Sequence, residues 1–237
     1  MKKIIFATLL LSSIIGFSQD SKTTKTSIDF SADFQSRYIW RGLQFGGSSP
    51  SVQPSIELSS GSFTIGGWAA YSTGGVNQAQ EADLYISLAA SDALSFTLTD
   101  YFFPTEGVKQ DYFSYGSNTG HVYELAMAYA SDKTPWGFMI ATNFAGADKN
   151  GTKQNYSTYF ELNYSKSFDG VDYSLFAGGV IGDNGGYYLT TGSGLINLGL
   201  SASKSIKLNK TFELPINTAL IFNPDQGNVY LTFGFSL

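Results

Sequence analysis

The stretch Val229-Tyr230-Leu231-Thr232-Phe233-Gly234-Phe235-Ser236-Leu237 alternates apolar and polar residues along its length. A pleated strand sends successive side chains to opposite faces. Val229, Leu231, Phe233, Phe235 and Leu237 therefore share one apolar face, and Tyr230, Thr232, Gly234 and Ser236 share the other. The same period recurs upstream, where Ile28, Phe30, Ala32, Phe34, Tyr38 and Trp40 alternate with Asp29, Ser31, Asp33, Gln35 and Arg37. It recurs again in Tyr156, Phe160, Leu162 and Tyr164 against Ser157, Glu161 and Asn163. Phe212, Leu214, Ile216, Leu220 and Phe222 stand likewise against Glu213 and Asn217. Period two, rather than 3.6, runs from residue 28 onward.

About twelve such segments can be marked, most near the 9–11 residues of a tilted membrane-crossing strand. They lie near 28–40, 51–59, 62–72, 80–91, 94–103, 120–131, 136–146, 155–168, 171–182, 194–205, 211–222 and 228–237. The links between them alternate in length. Ser60-Gly61, Asp92-Ala93, 132–135 and Asp169-Gly170 are tight, built from residues that accept positive φ or preset a turn. The links 42–50, 73–79, 104–119, 146–154 and 183–193 are long. Short turns at one end and long loops at the other are the expected asymmetry of an outer-membrane barrel. The last two links, 206–210 and 223–227, fit that pattern less well. Pro54 and Pro215 fall inside expected strands, where a missing ladder donor predicts a bulge or strand end. Gly66-Gly67 and Gly178-Gly179 predict close backbone approaches or bulges.

Composition points the same way. Charged residues make up 14% and aromatics 16%, with 26 glycines and no cysteine. Soluble domains carry roughly 25% charged residues. A barrel with lipid outside and water inside does not need that charge. The lack of cysteine excludes a disulfide framework, a thiolate metal site, a cysteine nucleophile and a lipid-bearing cysteine anchor. At the N-terminus, Lys2 and Lys3 precede an apolar run over 4–17, with Gly16 and Ser18 as the small residues before an expected cleavage at Gln19. The run is short for a helical span, which needs about 20 residues. The expected organisation is an export signal over 1–18, a short polar lead-in over 19–27, and one barrel over 28–237. Loss of Lys2 and Lys3 would take the formal charge from −5 to −7, which argues against nucleic-acid binding.

The residues offer little catalytic chemistry. His121 is the single histidine and falls on an apolar face with Tyr123, Leu125 and Met127. No Ser lies two residues downstream and no Asp flanks it, so it reads as an interfacial residue rather than part of a dyad. With no second histidine and no cysteine, zinc catalysis is not expected. The stretches 148–151, 183–185 and 225–228 faintly resemble calcium loops, but none has the full ligand spacing and closing Glu, and turn formation accounts for them. The chain is therefore expected to be no enzyme, with no cofactor and no metal.

The polar face is the informative constellation. With apolar positions toward lipid, Asp29, Asp33, Glu57, Glu81, Asp83, Glu124, Glu161, Asp172 and Glu213 point inward, with Arg37 as the clearest inward base. Arg41 and Lys204 lie near strand ends. Rings of carboxylates in a water-filled pore favour cations. The same carboxylates could instead hydrate a closed lumen or pair across it. Tyr38, Trp40, Tyr71, Phe103, Phe144 and Phe222 are expected in an aromatic girdle at the long-loop rim. Trp136, Phe168, Tyr173 and Phe212 are expected at the other rim.

The C-terminal strand, Val229, Leu231, Phe233, Phe235 and Leu237, resembles the terminal strand by which outer-membrane barrels are recognised for assembly, with Leu where many carry Phe. Ser36-Arg37-Tyr38-Ile39-Trp40-Arg41-Gly42, with Gln53-Pro54-Ser55 and Gly66-Gly67-Trp68-Ala69, resembles the opening of the TorF-type porin family of exported bacterial proteins. That resemblance implies an outer-membrane porin and supplies no catalytic residues. The expected fold is all-β, an antiparallel up-and-down transmembrane β-barrel of about twelve strands. The expected partners are outer-membrane lipid, the barrel-assembly machinery and small solutes, cations favoured, with no nucleic acid. The expected function is passive diffusion of those solutes. The alternative is a closed barrel that works through its extracellular loops, with 104–119, carrying Tyr112, Phe113 and Tyr115, as the contact segment.

Overall fold

The computed structural model describes residues 26–74, 80–105, 109, 111–116, 118–184, 186–190 and 192–237. The expected export signal and most of the lead-in lie outside the described residues. The last two lead-in residues, Thr26 and Ser27, already belong to the first strand. In chain order the strands begin with β1 Thr26–Gln35, β2 Tyr38–Trp40, β3 Leu43–Phe45, β4 Ser51–Ser60, β5 Phe63–Ser72, β6 Gln80–Ala89, β7 Leu94–Tyr101 and β8 Val122–Tyr129. They continue with β9 Trp136–Gly146, β10 Lys149–Asn150, β11 Lys153–Gln154, β12 Thr158–Phe168, β13 Val171–Ile181, β14 Gly194–Lys207, β15 Glu213–Asn223 and β16 Asn228–Ser236. No helix occurs among the described residues.

Twelve of these strands close into an antiparallel barrel in the order β1-β16-β15-β14-β13-β12-β9-β8-β7-β6-β5-β4, with β4 returning to β1. The twelve-stranded up-and-down barrel read from the period is the fold. The four short strands form two hairpins that are not part of the wall, β2 with β3 and β10 with β11. The short turns have the backbone they need, with positive φ at Gly61, Asp169 and Gly170. Alternation sets the two faces. Phe30, Ile65, Leu84, Leu175, Leu231 and Phe233 are exposed on the outside, while Glu81, Asp83, Thr99, Tyr101, Glu124 and Tyr159 are buried inside.

Both prolines are accommodated without a register change. The β4–β5 ladder skips Gln53 and Pro54 and resumes in the same register at Ser55. Pro215 pairs with Ser205 on β14 and precedes the first β15–β16 pair, Ile216 with Phe235. The irregularities fall instead at Gly178/Gly179 and at Tyr123/Glu124. At Gly66 and Gly178 an added Cβ would meet the rings of Tyr85 and Tyr159 at 2.2 and 2.7 Å, so those glycines leave room for inward aromatics.

The first expected strand, 28–40, is corrected. β1 ends at Gln35, and the chain then leaves the wall. Its pairing with β16 is correspondingly short, Asp33–Gln35 against Gly234–Ser236. Backbone bonds between Ala32 and Leu237 and from the Ser36 amide to the Phe233 carbonyl extend the seam by one step at each end. Beyond Ser36 the chain turns into the lumen as the β2–β3 hairpin, whose two turn residues have positive φ, 49° at Arg41 and 79° at Gly42. Such a turn matches the natural twist of a hairpin.

Gly42 seats the hairpin tip against the wall at β14 and β15. Its carbonyl accepts a hydrogen bond from Asn223 Nδ2 at 3.1 Å, and a Cβ there would stand 1.8 Å from the Ile196 carbonyl oxygen. Gly42→Ala should combine left-handed backbone strain with that collision and cost at least about 2 kcal/mol. A lowered urea midpoint for loss of the folded, heat-modifiable gel band checks this, and an unchanged midpoint would contradict the seating of the tip.

Candidate functional site: the occluded lumen

The hairpin carries its aromatics into the barrel axis. Tyr38, Trp40 and Leu43 form one buried cluster with Ala70 of β5, Tyr101 of β7, Val122 of β8, Tyr159 of β12, Val180 of β13, Ile196 of β14 and Tyr188 of the 182–193 loop. Every member is 0 to 6% exposed. Six wall strands thus contact one continuous filling. The other side of the hairpin packs Ile39 against Ala219 and Ile221 of β15, flanked by Phe176 and Tyr230. Tyr38 and Trp40 were expected in the lipid-facing girdle, and the structure corrects this: they are 6% and 4% exposed, inside the barrel. The other expected girdle residues are exposed at the two rims, including Tyr71, Phe103, Phe144 and Phe222 at one and Trp136, Phe168, Tyr173 and Phe212 at the other.

Arg41, at the hairpin tip, is the centre of the filling. Its Nη2 donates to Glu124 Oε1 at 2.8 Å and its Nη1 donates to Glu124 Oε2 at 2.5 Å, a fork-on-fork pair with both side chains at most 3% exposed. Nη1 also donates to the Tyr188 hydroxyl. The guanidinium carbon lies 4.6 Å from the ring centroids of both Trp40 and Tyr159, so the cation is held between two π faces. Trp40 and Tyr188 stack at 5.3 Å with an interplanar angle of 3°. Burial by itself disfavours the charged guanidinium, but Glu124, with the Tyr188 and Tyr101 phenols, outweighs it and holds the Arg41 pKa well above its ordinary value. Burial likewise pushes the Tyr188 phenol well up despite the neighbouring guanidinium.

The expected inward carboxylates divide by depth. Glu124 also accepts from the Tyr101 hydroxyl at 3.0 Å. Glu81 accepts from the Tyr38 hydroxyl at 2.7 Å, which ties the base of the hairpin to β6. Asp83 accepts from the Phe102 amide at 3.4 Å through Oδ1, and its carboxyl faces that of Glu81 within hydrogen-bond reach. Glu57 accepts from the Tyr85 hydroxyl. Glu161 accepts from the Tyr159 hydroxyl and, at 2.9 Å, from Asn197 Nδ2. Asp33 lies opposite Ser236 at the β1–β16 seam. Asp29 and Glu213 are exposed near the short-turn end, and Asp172 there accepts from Ser167. Arg37 is corrected from a strand residue to the bend after β1, where its Nη1 donates to Gln44 Oε1 at 2.8 Å across the hairpin. The base that matters inside is Arg41, which the sequence placed only near a strand end.

His121 is also placed differently from expectation. It is fully buried, and its Nδ1 is 2.6 Å from Asp100 Oδ1 on the neighbouring strand. Its Nε2 is 2.6 Å from the Tyr112 carbonyl, and Phe102, Tyr112, Tyr115 and Tyr123 surround the ring. An Asp does accompany the histidine, but both ring nitrogens are occupied. The arrangement anchors Tyr112 and Tyr115. Beyond that anchor Phe113 is 85% exposed, beside a cavity of about 580 Å³ lined by Lys109, Asp111, Tyr112, Phe113 and Ser114. Among the described residues no group of three or more His, Cys, Asp and Glu could hold a metal ion.

No protein-family profile matches the sequence, and no curated protein is similar to it. Among solved structures, the chain is similar to Wzi, an outer-membrane protein involved in group 1 capsule assembly in Escherichia coli and described as a carbohydrate-binding β-barrel. The likeness has 10% identity and a TM-score of 0.34, and covers 80% of this chain. It spans about half the length of Wzi, 52%. No residue role is carried over from it.

Removing Arg41 leaves Glu124 buried without its counter-charge. Arg41→Met should destabilise the barrel by roughly 3–5 kcal/mol, and Arg41→Met with Glu124→Leu should recover most of that loss. Urea titration of the folded gel band checks both. Equal damage in the single and double variants would contradict the pairing.

Proposed function

We propose that this chain is an exported bacterial outer-membrane barrel of the TorF type whose lumen is closed by its own first loop, and that it works through its extracellular surface rather than as a diffusion pore. Large apolar side chains are exposed around the outside of the barrel, Phe30 at 75%, Leu175 at 55% and Phe233 at 69% among them. In water such a surface would be an aggregation hazard, and in a bilayer it is the lipid-facing belt. The C-terminal strand presents Val229, Leu231, Phe233 and Phe235 on that belt, which supports delivery by the barrel-assembly machinery. Orientation follows from the long loops, which face the cell exterior in such barrels.

The observation that carries the closed-barrel reading is the Arg41–Glu124 pair inside its aromatic filling. A cation-preferring pore needs carboxylates that face a water path. Here Glu81, Glu124 and Glu161 are bonded to phenols, an amide or the guanidinium within the filling. That supports the alternative of a surface-acting barrel over passive cation diffusion. The exposed Phe113 and Tyr115, on a loop anchored through His121, are the proposed contact surface, and the role is non-enzymatic.

Planar-bilayer recording tests the reading. The intact barrel should give no steady conductance, and deleting residues 38–45 should open a channel. A steady, cation-selective conductance from the intact barrel would instead restore the porin reading.

A further inference from the structure

Two of the three stretches that faintly resemble calcium loops meet in space. Asp148 and Asp183 are 2% and 0% exposed, and both reach the hydroxyl of Ser157, itself fully buried. Ser157 Oγ stands 3.1 Å from Asp148 Oδ1 and 3.1 Å from Asp183 Oδ1. A hydroxyl has one proton. It can donate to one of these oxygens, and the other then faces its lone pairs. Ser157 Oγ already accepts from Asn155 Nδ2 at 2.6 Å. The remaining donors on the two carboxylates are neutral: the Ser157 amide and Asn155 Nδ2 on Asp148, and the amides of Tyr188 and Thr190 with the Thr190 hydroxyl on Asp183. These bonds fix the carboxylates in place. Among the described residues they leave Asp183 Oδ1 with the shared hydroxyl as its single hydrogen-bond contact.

A separate residue points to the same spot. Asn143 is fully buried, and among the described residues neither its Oδ1 nor its Nδ2 has a hydrogen-bond partner. Its backbone N–H donates to the Ser157 carbonyl at 3.0 Å, so the two residues face each other across β9 and the start of β12. Directly opposed side chains lie on the same face with Cβ atoms about 5 Å apart. A buried carboxamide without a partner is destabilising. A cation on Oδ1 would relieve the oxygen's share of that cost.

We propose that Asp148, Asp183, Ser157 and Asn143 bind one calcium ion between the outer ends of β9, β12 and the 182–193 loop. The donor set is all oxygen: two carboxylates, a hydroxyl and a carboxamide, the hard ligands that calcium takes. Two carboxylates match the charge of a dication. The ion takes the place between Asp148 Oδ1 and Asp183 Oδ1 that the single Ser157 proton cannot satisfy. It would also rigidify the loop that carries Tyr188 onto Trp40, so calcium would tighten the occluded state. The site does not depend on whether the barrel conducts.

The test uses the full-length mature barrel, refolded in detergent without lipopolysaccharide and stripped with EDTA. Calorimetric titration with calcium chloride should show one saturable site, and calcium should raise the thermal unfolding midpoint. Asp183→Asn should weaken binding at least roughly tenfold, because charge count sets affinity in such sites. Asn143→Asp adds a third carboxylate and should bind more tightly than the unmodified barrel. The absence of a saturable site in the unmodified barrel would overturn the proposal. So would binding left unchanged in both variants, since the ion would then lie elsewhere. If Asp183→Asn fails to fold, Asn143→Asp decides alone: tighter binding supports the site, and unchanged affinity rejects it.

Discussion

The Arg41 guanidinium lies inside the long-loop end of a membrane-type barrel, out of reach of water, with one carboxylate and two aromatic faces to hold it. The rest of the structure depends on that placement. A lumen of eight strands is just filled by its own inward side chains, whereas twelve strands enclose more space than wall side chains can occupy. Some part of the chain must fill it or water will. Here the first loop does so, and it can do so because Arg41 finds Glu124. A guanidinium in that position without its partner would pull the hairpin back toward solvent, since an uncompensated buried charge costs several kcal/mol.

Other features serve the same end. Gly42 lets the hairpin tip approach the Ile196 backbone, Asn223 caps its carbonyl, and Tyr38 fastens its base to Glu81. The 182–193 loop brings Tyr188 onto Trp40, and that loop is itself held by Asp183. The short β1–β16 seam is the counterpart of this choice. The residues that would have continued β1 along β16 are the ones that fill the lumen, so β16 above Phe233 lacks a β1 partner.

Much of the wall was legible in the sequence because alternation and turn residues act locally. The twelve strands, the tight turns at Gly61 and Gly170, and the outward face of Phe30, Leu231 and Phe233 all follow from neighbours in the chain. The filling was not legible. Tyr38 and Trp40 keep the parity of the strand before them, so a girdle residue and a lumen residue look alike at that position. The available signal was Arg41-Gly42, a two-residue turn between apolar residues, which marks a hairpin rather than a rim. Among the acids, Glu124 stood out only as one of nine inward carboxylates, because its partner is 83 residues away. The same distance problem hid Asp100 beside His121 and Asp183 beside Ser157, pairs that exist only once the strands are registered.

The position of Trp40 separates the account from its rivals most directly. The chain has three tryptophans, so a variant with Trp68 and Trp136 replaced by Phe reports on Trp40 alone. Reconstituted in vesicles, its fluorescence should be quenched neither by acrylamide from the water nor by brominated acyl chains from the lipid. Quenching by acrylamide would mean a water-filled lumen, and quenching by brominated lipid would place Trp40 in the outer girdle. Either result would contradict a barrel closed by its first loop.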